Sequence, residues 1–170
     1  MQTGPHEALI ALGSNRPWLG LQPEGIVRAA AAVLQRFGQA RLSSLYDSPS
    51  WPDPACPPYV NAVMCLRTAL APAALLAACQ ATEAGFGRRR DPADRNAPRT
   101  LDLDLIAVGA SRLQSEALVL PHPRAHERDF VLQPLAEVAP DWSHPVTGLS
   151  AREMLAALPQ ITAVRQSARD

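Results

Sequence analysis

Leu101, Leu103 and Leu105 alternate with Thr100, Asp102 and Asp104. This period of two predicts a half-buried strand, with the leucines on one face and both aspartates on the other. Residues 8–13 are instead a continuous apolar run that stops at Gly13-Ser14-Asn15, which predicts a buried first strand ending in a turn. Pro23 and Glu24 open a helix to Phe37, with Ile26, Ala30, Val33, Leu34 and Phe37 on one face and Gly38 as its stop. A strand follows over 41–47, with Leu42 and Tyr46 inward. Five prolines between Ser48 and Pro58 then preset an extended loop, and residues 59–66 form a third strand. Pro72 starts a second helix, with Leu75, Leu76 and Cys79 on its apolar face, ending near Gly85-Phe86-Gly87. Residues 88–99 read as a mobile, basic loop feeding the aspartate strand. A turn at Gly109-Ala110-Ser111 lets 118–120 return antiparallel. Residues 129–138 and 150–158 read as helices, followed by a frayed polar tail.

The order is strand, helix, strand, strand, helix, strand, strand and short helices, with no internal repeat or linker. Antiparallel neighbours joined by crossover helices predict an α+β fold. It is a ferredoxin-like α/β sandwich with a mostly antiparallel sheet, formed as one domain over residues 1–170. With 47% hydrophobic content but only 5% aromatic residues, the core must be filled by Leu, Val and Ala. Each aromatic side chain therefore invites a functional question.

Zero formal net charge argues against a general electrostatic grip on nucleic acid. All sixteen basic residues are arginine, so any phosphate clamp must use guanidinium groups and no Schiff-base lysine is available. Cys56, Cys65 and Cys79 are odd in number and lack metal-site spacing; they read as reduced thiols of a cytoplasmic protein. No apolar run is long enough to span a membrane or to form a signal sequence.

Two carboxylates on one strand face repel unless positive charge lies between them. Arginines on a solvated face would answer this, and so would a divalent metal such as Mg²⁺, which prefers hard oxygen ligands. The arginines at 88–99 can likewise be a solvated loop or a phosphate clamp. Tyr59 and Phe130 can be core, or two faces gripping a flat ring; Asn61 shares the strand face of Tyr59.

Several stretches together resemble the 6-hydroxymethyl-7,8-dihydropterin pyrophosphokinase family. They are 11–15 (ALGSN), 46–49 (YDSP), 58–63 (PYVNAV), 83–88, 98–104 (PRTLDLD) and 120–124 (LPHPR) through Arg128 and Phe130. The resemblance implies a ferredoxin-like fold and transfer of pyrophosphate from ATP, as co-substrate, to a pterin alcohol in folate biosynthesis. It implies that Asp102 and Asp104 hold two Mg²⁺ ions and that Arg88 and Arg99 are catalytic. Gln80, Glu83, Arg88, Arg90, Arg99, His122 and Arg128 are expected to contact ATP. Gly13, Ser48, Pro49, Trp51, Tyr59, Asn61 and Phe130 are expected to contact the pterin. The expected partners are these two small molecules, with no nucleic acid and no membrane, and the protein is expected to be a cytoplasmic monomer without a fused domain.

The sequence departs from the family pattern where Ala97 replaces a glycine, where the usual tryptophan gives way to the region around Asn96, and in one extra residue between Arg90 and Arg99. This loop closes over ATP in the family. Three other readings compete: a pterin- or nucleotide-binding module without turnover, an RNA-binding ferredoxin-like domain, and a different metal-dependent phosphoryltransferase.

Overall fold

The computed structural model describes residues 4–50, 53–89 and 97–167. In chain order the strands are β1 (His6–Ser14), β2 (Gln39–Leu42), β3 (Tyr46–Ser48), β4 (Tyr59–Thr68), β5 (Asp102–Val108), β6 (Leu113–Gln114), β7 (Val119–Leu120) and β8 (Val164–Arg165). The helices are α1 (Pro23–Leu34), α2 (Pro72–Gly85), α3 (Asp129–Val138) and α4 (Ala151–Ala156). Six strands form one sheet in the order β5-β1-β4-β3-β8, with β2 also on β4, and every pairing is antiparallel. The expected α+β, ferredoxin-like order is therefore present, and it places β1 and β4 at the centre.

Both faces of the sheet are covered. Ala8, Ile10 and Leu12 of β1, Met64 and Leu66 of β4, and Leu103 and Leu105 of β5 pack with Ile26 and Leu34 of α1 and Leu75 and Cys79 of α2. Leu9, Val63, Cys65 and Ile106 point the other way, onto Leu132 and Leu135 of α3 and Met154 of α4. Burial on two sides explains why the central strands read as continuous apolar runs. Pro72 and Pro23 sit in the first turns of their helices, where a missing N–H costs nothing. Gly38 is required for packing, because a Cβ there would lie 2.0 Å from the Arg67 carbonyl oxygen.

The structure corrects four local expectations. The strand over 41–47 is two strands, β2 and β3, because the Ser43 hydroxyl accepts the Val63 N–H at 3.0 Å in place of a backbone carbonyl. The helix from Pro23 ends its last turn, Gln35–Phe37, as a tighter 3-10 turn. Residues 119–120 pair with β6 rather than with β5, whose Ile106 carbonyl accepts the His122 N–H at 2.8 Å. The expected frayed tail contains β8, which pairs with the edge of β3. The basic loop expected over 88–99 falls largely outside the described residues. Among the described residues no helix is long and apolar enough to cross a membrane.

Candidate active site

Strand register assembles the site. Gly13 is paired with Asn61 of β4 on one side and with Asp102 of β5 on the other; Ala11 is paired with Asp104. These residues share the sheet face that carries Leu9 and Val63, the face covered by α3. The helix begins at Asp129 and leaves this end of the sheet open as a cavity of about 610 Å³. Gly13, Tyr59, Asn61, Asp102 and Asp104 line its floor, and Ser48, Pro49, Arg99, Arg128 and Phe130 line its walls. Gly13 keeps the floor low. A methyl group on it would lie 3.5 Å from Asn61 Oδ1 and 3.6 Å from Tyr59 Cδ1, an ordinary contact that would nonetheless stand up into the hollow.

One half of the cavity is held by neutral hydrogen bonds. The Asn61 amide nitrogen donates to Ser48 Oγ at 2.9 Å and lies 3.4 Å from the Tyr46 carbonyl. Its donor side is thus committed internally, so what Asn61 presents toward Gly13 is the acceptor Oδ1. Burial pushes the Tyr59 hydroxyl above its ordinary pKa, aided by Asp102 and opposed by Arg99 and Arg88. The Arg128 guanidinium lies 5.8 Å from the Phe130 ring centroid, within range of a cation–π contact.

Asn15 organises the loops around this half, although only its place in a motif had drawn attention to it. It is 3% exposed, its amide donates to Ser50 Oγ at 3.2 Å and to the Pro57 carbonyl at 3.1 Å, and its Oδ1 accepts the Arg99 N–H at 2.7 Å. One side chain thus ties the end of β1 to the proline loop and to the segment entering β5. Ser50, Asp129 and Thr162 also line the cavity and had no distinguishing pattern in the sequence.

The other half is held by charge. Arg88 pairs with Asp102 and, at 2.6 Å, with Glu83; Arg99 reaches Asp102 at 2.7 Å. Burial raises the Asp102 carboxyl, but the Arg88 and Arg99 charges overcome it and hold the group below its ordinary pKa. Asp104 shifts in the opposite direction. Burial and the adjacent Asp102 raise it, against weaker opposition from His122 at 3.9 Å, Arg128 at 4.0 Å and the more distant Arg99. Burial lowers the His122 imidazole despite Asp104 nearby. Its Nδ1 accepts the Arg124 N–H at 3.1 Å, so Nε2 faces Asp104.

Glu83 and Gln80 are not in the cavity wall. Glu83 is 3% exposed, and besides holding Arg88 it accepts the Leu103 N–H at 2.8 Å on the outer edge of β5. This buried carboxylate near a helix C-terminus is compensated by the arginine beside it. Gln80 lies exposed one turn earlier. His122 lines a neighbouring hollow of about 480 Å³ with Val119 and Leu120. Trp51 and Arg90 lie outside the described residues.

Among the described residues no third His, Cys, Asp or Glu closes a metal cluster around Asp102 and Asp104. Two hard carboxylates on one strand face, one of them biased toward protonation by its neighbour, nevertheless suit a divalent cation that keeps water and phosphate oxygens in its shell.

The chain is similar to known proteins along most of its length. The model of the 7,8-dihydro-6-hydroxymethylpterin-pyrophosphokinase (HPPK) family matches residues 9–140. A 2-amino-4-hydroxy-6-hydroxymethyldihydropteridine pyrophosphokinase from Pseudomonas aeruginosa is 42% identical over 153 residues, covering 88% of this chain and 90% of that one. The Synechocystis enzyme of the same name is 39% identical over 150 residues, covering 88% of this chain and 75% of that one. A crystal structure of a Plasmodium falciparum HPPK-DHPS triple mutant superposes with a TM-score of 0.69 at 12% identity. This chain spans 43% of that protein, and 89% of this chain is covered. Its likeness concerns the fold alone. Taken with the near-40% identities, the match over residues 9–140 shows that the chain belongs to the 7,8-dihydro-6-hydroxymethylpterin-pyrophosphokinase family.

Proposed function

We infer that the two halves of this cavity divide one reaction between them. The protein transfers pyrophosphate from ATP to the hydroxymethyl group of 6-hydroxymethyl-7,8-dihydropterin in folate biosynthesis, as its family and relatives do. The pterin alcohol oxygen forms a bond to the β-phosphorus. The bond from that phosphorus to the oxygen shared with the α-phosphate breaks, AMP leaves with that oxygen, and the alcohol proton passes to solvent.

The register that sets Asn61, Gly13 and Asp102 side by side carries the assignment. It supports a pterin over the neutral half, with its alcohol directed at phosphates over the charged half. Phe130 and Tyr59 supply the aromatic faces, worth about 0.5–1.5 kcal/mol per stacked pair beyond burial. Asn61 Oδ1 accepts from the polar edge of the ring, and Ser48, Pro49 and Gly13 shape the slot. Arg88, Arg99, Arg128 and His122 face the phosphates and hold them in line. Glu83 works through Arg88 as a positioning residue, and Gln80 reaches ATP from the exposed face of α2.

Asp102 and Asp104 would hold two Mg²⁺ ions, which neutralise the roughly four negative charges of the triphosphate and polarise the transferred group. A loose transition state asks little of a general base, so the neutral half of the cavity needs only to orient the alcohol. In this reading the chain works as a single domain over residues 1–170, as a cytoplasmic monomer.

ATP radiolabelled at the β-phosphorus tests this. The label is expected in the pterin product, with unlabelled AMP released and turnover lost in EDTA. Label retained in ADP would identify an ordinary kinase and overturn the reading.

A further inference from the structure

We propose that residues 160–166 form a strap that fixes the pterin half of the cavity, with Asp129 as the positioning residue that fastens it. The inference rests on the pterin reading above. Three observations carry it.

The first is the placement of Asp129. It is 7% exposed, at the first turn of α3, between Arg128 and Phe130, and it lines the cavity. Its Oδ1 accepts the Phe130 N–H at 2.9 Å, so the carboxylate sets the backbone of the residue that carries the aromatic wall. Its Oδ2 accepts the Thr162 N–H, and the Ala163 N–H at 2.7 Å, with the Thr162 hydroxyl at 3.2 Å. A charged acceptor serving several N–H donors is among the stronger neutral-to-ion arrangements.

The second is where the fastened segment goes. The Ala163 carbonyl accepts from Gln133 of α3 at 2.9 Å. Immediately afterwards Val164 pairs with Asp47 and Arg165 with Tyr46, and the Gln166 N–H reaches the Leu45 carbonyl at 2.8 Å. Ser48, the partner of Asn61, is the next residue of β3. The strap therefore joins the Phe130 wall to the strand that carries the Ser48 wall.

The third is that Thr162 itself lines the cavity, although it lies beyond residues 9–140, where the family match ends. Among the described residues, no hydrogen bond or ion pair joins Asp102, Asp104 or Arg88 to the strap. Loosening it should therefore move the pterin and leave ATP alone.

The test is a pair of full-length variants, Asp129→Ala and Thr162→Pro. The second deletes both the N–H and the hydroxyl that Thr162 donates to Asp129, at an exposed residue outside the core. Each is expected to raise the pterin KM about tenfold while changing the ATP KM by about twofold or less. The double variant should be no worse than Asp129→Ala alone, because both changes release the same strap. Asp129→Glu should recover part of the pterin affinity. Equal losses for both substrates, or an unchanged pterin KM in Thr162→Pro, would overturn the strap while wild-type turnover stands. A wild-type protein that neither binds nor uses the pterin would overturn the proposed function, and the strap with it.

Discussion

The two halves of the cavity are built from different interactions. Around Asn61, Ser48 and Asn15 the groups are neutral, and the amide donors of both asparagines are satisfied within the protein. Around Asp102 they are charged: two arginines pair with one carboxylate, and a buried glutamate steadies the first arginine. The neutral half is a preformed shape that an entering ligand need not rearrange. The charged half is a set of compensated ions, each held by an oppositely charged partner. Phosphates and divalent cations can replace those partners like for like. In the proposed reading, the rigid half recognises the pterin and the exchangeable half carries the reaction.

Removing a carboxylate should break the charged half most completely. Asp102→Ala and Asp104→Ala are each expected to lower AMP formation by about a thousandfold or more, with the far-ultraviolet circular dichroism unchanged. Full activity in either variant would remove the metal assignment. Arg99→Ala should come next, lowering kcat by about a hundredfold while shifting the pterin KM far less. A larger effect on pterin KM would move Arg99 into the recognition half.

Changes to the neutral half should produce the opposite split. Asn61→Ala deletes the acceptor facing Gly13 and leaves buried Ser48 without its donor, so pterin affinity is expected to fall about tenfold to a hundredfold, with ATP affinity retained. Gly13→Ala should fold normally, since its methyl meets neighbours only at 3.5 Å and beyond, yet weaken the pterin about tenfold by filling the slot. Calorimetric titration of each ligand separately checks both.

The smallest effect is one of reactivity. Burial pushes the Cys65 thiol up to about 11 and the Cys79 thiol up to about 12, with Glu83 and Asp104 adding to the latter. The thiolate is the nucleophile, so at pH 8 both stay protonated and resist iodoacetamide. The half-buried Cys56, in the proline loop beside the pterin half, should take the label, and bound pterin should slow it. Peptide mapping by mass spectrometry would show whether labelling follows that order.

Much of this arrangement was legible in the sequence because strand parity is a strict rule. Alternation placed Asp102 with Asp104 and Tyr59 with Asn61, and the structure adds only which strands lie beside each other. Residues whose roles depend on distant pairing were not legible. Asn15 reaches the proline loop and Arg99 through contacts that no local pattern encodes, and Asp129 meets Thr162 and Ala163 more than thirty residues away. The internal commitment of the Asn61 donor was equally hidden, because Ser48 becomes its partner only when β3 pairs with β4. The break at Ser43 depends on a side chain substituting for backbone in a ladder, an outcome that the apolar pattern of 41–47 does not report. Ion pairing at Asp102 was one of two open answers to carboxylate repulsion, and Arg88 and Arg99 supply it.

The most direct test of the division between recognition and reaction is AMP release from Mg-ATP by the wild-type protein, with and without 6-hydroxymethyl-7,8-dihydropterin. AMP is expected only when the pterin is present, in step with pterin diphosphate. AMP formed equally without pterin, or ADP in its place, would contradict that division.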